Sequence, residues 1–163
     1  MSAETFTTAM FLITAVIAAG VLINAVFPVV YTMAGTFQSA THESDVRLRT
    51  DFKIVAAFAN STHANVWMKN IGSQRIPLTD IQRSDLFCGP VGNYGRLTYL
   101  PDYPEQLANG QWTETLIDLN TNTYWDSGET LQVTARTPLT GDTYFQFILP
   151  NGIWRSNEFT AVG

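Results

Sequence analysis

The sequence predicts an α+β chain: a long N-terminal helix that begins in a membrane and continues into water, followed by an all-β, antiparallel β-sandwich. Three observations carry this. No Asp, Glu, Lys or Arg occurs from Thr5 to Thr41. Within that stretch Ala9–Tyr31 is an apolar run of 23 residues, against the ~20 needed to cross a ~30 Å hydrocarbon core. After Phe52 the apolar period shortens from three or four residues to two, and turn residues recur between the apolar runs. The 163 residues therefore divide into a helix over 1–51, with its membrane segment at about 9–31, and a β domain over 52–163.

The helix is read first. Twelve residues of Ala9–Tyr31 are Leu, Ile, Phe or Val, each favouring insertion by roughly 0.3–0.6 kcal/mol, enough to carry Asn24 and Pro28. The start, MSAET, has an acid and no base, which does not fit a secretory signal. Helical spacing continues past Tyr31 through Met33, Phe37, Ala40, Ser44 and Leu48. Glu43 with Arg47, and Asp45 with Arg49, are acid-before-base pairs at i,i+4, the favourable order on a solvated face. A single helix from about Ser2 to about Thr50 would be roughly 70 Å long. Its features for self-association are Glu4, Ala15, Ala19, Asn24 and Pro28. Ala15 and Ala19 form a small-xxx-small pair that allows close helix approach. Pro28 cannot donate to the Asn24 carbonyl, so a kink or local unwinding is expected there. Glu4 suits either the helix N-terminus or a neighbour's terminal amine.

In the β domain the expected strands are Phe52–Asn60, Ala64–Ile71, Ile81–Phe87, Arg96–Leu100, Trp112–Leu119, Thr130–Arg136, Thr143–Leu149 and Ile153–Ala161. Val66/Met68 against Trp67/Lys69, and Leu131/Val133 against Gln132/Thr134, alternate with period two. Asn60-Ser61-Thr62, Gly89-Pro90, Asn109-Gly110, Ser127-Gly128, Thr140-Gly141-Asp142 and Pro150-Asn151-Gly152 supply the turns. Tyr99–Gln106, with two prolines, reads as an exposed loop.

Composition excludes several functions. The net charge is −5, from 9 Lys+Arg against 14 Asp+Glu, which argues against nucleic-acid binding. Cys88 is the only cysteine, so there is neither an internal disulfide nor a Cys-based zinc site; it reads as a small buried apolar residue. His42 and His63 form no metal motif and read as polar surface residues. No Gly-x-Ser-x-Gly elbow or Walker loop occurs. The expectation is a protein that is not an enzyme and requires no cofactor.

One constellation suits a hard cation. Asp118, Asn120, Asn122, Tyr124, Asp126 and Glu129 occupy positions 1, 3, 5, 7, 9 and 12 of a twelve-residue loop. Tyr124 would offer its carbonyl and Glu129 a bidentate carboxylate, as Ca²⁺ sites do. Position 6 is Thr123 rather than Gly, and the same composition suits a polar hairpin turn. Asn60-Ser61-Thr62 is also a glycosylation acceptor pattern.

The runs TTAMFLITAVIAAGVLINAVFPVVY, LRTDFKIV, VWMKNIGSQRIPLTDI and GETLQV…FILPNG resemble the FlaG (ArlG) family of archaellum stator proteins, across nearly the whole chain. VWMKNIGSQRIPLTDI and SGETLQV are also similar to the β domain of archaellins and other type IV pilin-like proteins. The resemblance implies a helix anchored in the lipid of the archaeal cytoplasmic membrane and an archaellin-like sandwich outside it. It also implies assembly with further copies, and contact with a FlaF-like partner, the surface layer and the archaellum motor. No basic leader precedes the apolar run, so processing by a prepilin-type peptidase is not expected, which favours a stator subunit over a filament subunit. The filament subunit is the alternative, and a membrane-tethered binding module a third reading. Charge bias is a poor guide to orientation: Arg47, Arg49 and Lys53 follow the apolar run, which taken literally puts the β domain in the cytoplasm.

Overall fold

The apolar run and the charged segment that follows it form one uninterrupted helix. In a computed structural model describing residues 2–101, 106–117 and 122–162, α1 spans Ser2–Arg49. None of its side chains is buried in the chain. Its hydroxyls turn back on its own backbone: Thr7, Thr8, Thr14, Thr32, Thr36 and Thr41 each donate to the carbonyl four residues earlier at 2.8–2.9 Å. That satisfies polar groups which lipid could not. Of the kink or local unwinding expected near Asn24–Pro28, the unwinding does not occur: the helix runs on through Pro28. The helix is long and apolar enough to cross a membrane. The chain divides into two compact units, Met1–Asp45 and Val46–Gly163, so the last helical turn belongs to the second.

Ten strands and one short helix are described in the second unit: β1 (Phe52–Ala59), β2 (His63–Asn70), β3 (Ile76–Pro77), α2 (Leu78–Gln82), β4 (Asp85–Pro90), β5 (Gly95–Tyr99), β6 (Gln111–Ile117), β7 (Tyr124–Trp125), β8 (Thr130–Arg136), β9 (Asp142–Ile148) and β10 (Trp154–Thr160). Eight of them run in the order β1-β2-β8-β6-β5-β4-β9-β10, while β3 pairs with β7. Two antiparallel layers result, β1-β2-β8-β6 and β5-β4-β9-β10, joined where β5 meets β6. That junction departs from the all-antiparallel expectation. Thr98 and Tyr99 pair in parallel with Gln111 and Trp112.

The alternation seen in the sequence sets the register. Val66 and Met68 of β2 and Leu131 and Val133 of β8 are fully buried, and Val66 pairs with Val133. Phe145 and Phe147 of β9 meet them from the other layer. Phe52 binds the layers together, with its ring centroid 5.7 Å from Trp125 and 6.0 Å from Phe147; Trp112 stands edge-on to Phe147 at 5.7 Å. Each buried aromatic of this kind contributes several times what a methylene does.

The strand expected over Ile81–Phe87 is a helix and then a strand. Pro77 holds an extended conformation at the N-cap of α2, Asp80 lies in its first turn, and the Ser84 backbone N–H closes its end by donating to the Ile81 carbonyl at 3.0 Å. Proline before an acidic first turn favours a helix start. Cys88 is buried as expected, at 1% exposure, and burial pushes its thiol up to about 12.

Candidate interaction surface

β1 and β10 are the two ends of the strand order, and they lie beside one another. Two ties hold them. Arg155 forms an ion pair with Asp51, its guanidinium 5.9 Å from the centroid of the Phe52 ring. At the other end the Val162 N–H donates to the Ala59 carbonyl at 2.9 Å. Asp51 and Ala59 thus meet Arg155 and Val162 in the same order, and the two edges run in one direction. No backbone hydrogen bond is described between these ties, so the seam presents unpaired strand edges, the kind of surface that sheets otherwise protect.

The seam's outer face mixes apolar and polar side chains. Phe52 and Ala59 point into the core, whereas Val55 and Phe58 of β1 stay 47% and 48% exposed and Trp154 of β10 is 51% exposed. Lys53 on β1 and Glu158 on β10 are exposed charges on the same pair of strands. The register of β1 slips between Ile54 and Ala56, and such a bulge turns an edge and its side chains outward. Sequence reading missed this surface. Its available signal was FKIVAAFA itself: a strand apolar on both faces expects cover on both faces.

The start of β1 is braced against the rest of the domain. Asp51's carbonyl accepts from the backbone N–H groups of Ile71 (3.0 Å) and Gly72 (2.9 Å), and Arg49's from Gln74 (3.1 Å). Arg47 Nε donates to the Asn151 carbonyl at 2.8 Å. Gly72 is required here: a Cβ would sit 2.3 Å from the Arg49 oxygen and 2.5 Å from the Asp51 nitrogen. The last turn of α1 is therefore clamped to the β domain mainly by backbone groups, with Arg47 adding one side-chain tie.

The residues singled out on the helix fall on different faces. Glu4, Ala15, Ala19, Asn24 and Pro28 are all exposed on α1. At about 100° per residue, Glu4, Ala15 and Ala19 lie within about 60° of each other. Asn24 and Pro28 fall on roughly the opposite side, whereas Val29, Met33, Phe37 and Ala40 return to the face of Glu4, Ala15 and Ala19.

Of the proposed calcium ligands, Asp118 and Asn120 lie outside the described residues. The others form a hydrogen-bonded turn. Asn122 Nδ2 donates to Asp126 Oδ2 at 2.7 Å, Asn122 Oδ1 accepts from the Tyr124 N–H at 2.7 Å, and Glu129 Oε2 accepts from the Asp126 N–H at 2.9 Å. Arg75 stacks over the Tyr124 ring at 5.2 Å. Among the described residues no three of His, Cys, Asp and Glu cluster in a way that would hold a metal ion. Asn60 is exposed in the turn between β1 and β2.

Comparison with known proteins accords with this geometry. The family model for archaeal-type flagellin matches residues 3–159. A protein of Archaeoglobus fulgidus described only as uncharacterized is 27% identical over 168 residues, covering 98% of both chains. Among solved structures, the archaellum periplasmic stator protein FlaG from Sulfolobus acidocaldarius superposes with a TM-score of 0.52 at 22% identity, over 68% of this chain and 99% of that one. FlaG in complex with FlaF from the same organism gives 0.52 at 21% identity, over 66% and 87%. The archaeal flagellum of Methanospirillum hungatei gives 0.53 at 15% identity, over 91% and 90%. At such identities the solved structures establish a shared fold, and the family match covers almost every residue. The chain belongs to the archaeal-type flagellin family.

Proposed function

We propose that this protein is a non-enzymatic structural component of the archaellum machinery, a stator-type subunit. α1 anchors it in the cytoplasmic membrane, and the β domain stands outside and associates with other copies and with a FlaF-like partner. The observation that carries this reading is the β1–β10 seam. Exposed Val55, Phe58 and Trp154 lie on unpaired edges of a domain that is otherwise well packed. A protein that bears torque needs extended contact rather than a pocket. Apolar side chains on open edges supply contact area of about 25 cal/mol for each Å² buried. Likeness to FlaG over 99% of that chain supports the stator reading.

A second reading is a subunit of an external filament. It is favoured by the Methanospirillum flagellum, whose likeness extends over 91% of this chain. Shearing separates the two. Under the stator reading the chain stays with the membrane fraction after cells are sheared, and its deletion abolishes motility while filaments still form. Recovery of the chain in sheared filaments would establish the alternative instead.

A further inference from the structure

We propose that the outer face of the β1-β2-β8-β6 layer binds an acidic polysaccharide, one whose pyranose units carry carboxylates. Strand register assembles the face. Ala56, Trp67, Gln132 and Thr115 stand abreast across the four strands, and Lys53, Lys69 and Thr130 form another row. Val66, Met68, Leu131 and Val133 take the inward positions, so alternation turns both rows to solvent. Lys53, Lys69 and Thr115 are exposed, and Trp67, Gln132 and Thr130 partly so.

Charge selects an anion. Lys53 and Lys69 are direct cross-strand partners, and neither forms an ion pair among the described residues. Like charges placed directly opposite destabilise a sheet, and an anion that meets both ammonium groups removes that repulsion. The only acid in β1, β2, β6 or β8 is Glu114. It shares the inward side with its partner Val133, where the Tyr99 hydroxyl (2.8 Å) and Gln82 Nε2 (3.2 Å) donate to its carboxylate. The strands of the other layer hold Asp85, Asp142 and Glu158. A chain of net charge −5 thus keeps one sheet face cationic and free of carboxylates.

The neutral groups select a sugar rather than an acidic peptide. Asn65 Oδ1 accepts from the Thr134 hydroxyl (2.8 Å) and from Gln132 Nε2 (3.4 Å). Those bonds hold the Asn65 amide in place and leave its Nδ2 as a fixed donor. Asn65 Nδ2, Trp67 Nε1 and Gln132 Oε1 find no partner among the described residues and stay open to water. A pyranose ring offers an apolar C–H face and a rim of hydroxyls: the indole covers the first, and the amides and Thr115 bond the second. An extended peptide binds a sheet through backbone bonds at an edge. β2 and β8 offer no edge, because each is paired on both sides. Trp67 and Lys69 stand on β2, one strand in from the seam, so the site is separate from the surface proposed for assembly.

The test is titration calorimetry of the full-length chain in lipid discs with oligomers of galacturonate and of glucuronate. Saturable binding is expected for at least one of them. Lys69→Glu and Trp67→Ala should each weaken it about tenfold or more, and raised salt should weaken it several-fold. The methyl-esterified oligomer, the same sugar without its charge, should also bind about tenfold more weakly. Lys69→Glu alters an exposed side chain and keeps the test decisive if Trp67→Ala does not fold; melting temperatures within a few degrees of wild type identify folded variants. Absence of saturable binding to either oligomer, or an affinity that Lys69→Glu leaves unchanged, overturns the site. Poly-glutamate bound as tightly as the sugar acids overturns it too, and assigns the face to an acidic polypeptide. Loss of sugar binding in a variant that still assembles leaves the function proposed above standing.

Discussion

Arg155 and Asp51 are 104 positions apart in sequence, yet they form an ion pair that joins the last strand to the first. The guanidinium also covers the Phe52 ring, so one side chain ties a surface charge to the core. Both partners are partly exposed, and pairs of that kind contribute about 0.2–1 kcal/mol. Arg155→Ala is expected to lower the melting temperature of the full-length chain by a few degrees. High salt should remove part of the difference but not all, since the contact with Phe52 is less sensitive to screening. An effect that vanished completely in high salt would contradict the contribution of the ring.

Gly72 tests the clamp at the start of β1. Its replacement by Ala drives a methyl group into two backbone atoms that cannot rotate away. A loss of about 1–3 kcal/mol is expected, typical of overpacking. Gly95→Ala is the control, because nothing lies within 4 Å of its Cβ position. Chemical denaturation of the two variants should separate them clearly.

Glu129 is 5% exposed and takes the Asp126 N–H on its carboxylate, while its carbonyl accepts from Trp125 Nε1 at 2.9 Å. Glu129→Ala leaves a backbone donor without its partner and should cost about 1–3 kcal/mol. Because the described bond is internal to the turn, the loss is expected in EDTA as well as in calcium. A penalty seen only with calcium would instead mark an ion as the loop's organiser.

Cys88 makes a prediction about pH. Desolvation lifts its thiol from 9.0 to about 12, so the folded chain holds a proton that the unfolded chain releases above pH 9. Its contribution to stability is complete below about pH 9 and is lost as pH rises towards 12. Native chain should resist alkylation at pH 8 and at pH 9.5 alike, reacting only once unfolded. Rapid labelling of folded protein at pH 8 would refute the burial.

Much of this architecture was legible from residue patterns, because the features concerned are local. The uncharged run dictated α1, and the alternation in LQVT and VWMK pointed to β8 and β2, whose bounds fall within a residue of those expected. What escaped depends on tertiary partners. Ile76–Pro77 and Tyr124–Trp125 pair over two residues each, too short for any period to register. The parallel meeting of Thr98–Tyr99 with Gln111–Trp112 is set by how the layers close. The same is true of the seam. Val55, Phe58 and Trp154 look like ordinary strand residues until the topology places β1 and β10 side by side with their outer faces bare. On the helix, Ala15 and Ala19 were readable as a pair, but their angular separation from Asn24 and Pro28 emerges only when the whole span is known to be helical.

The central claim is that copies of this chain associate through that bare face while α1 remains in the bilayer. Electron microscopy of the full-length protein in lipid, beside Phe58→Glu, examines it most directly. The account predicts ordered multi-subunit assemblies for the wild type, dispersal for the variant, and nearly equal melting temperatures for both, since Phe58 is half exposed. Single, separate chains for the wild type, or assemblies that Phe58→Glu leaves untouched, would contradict it.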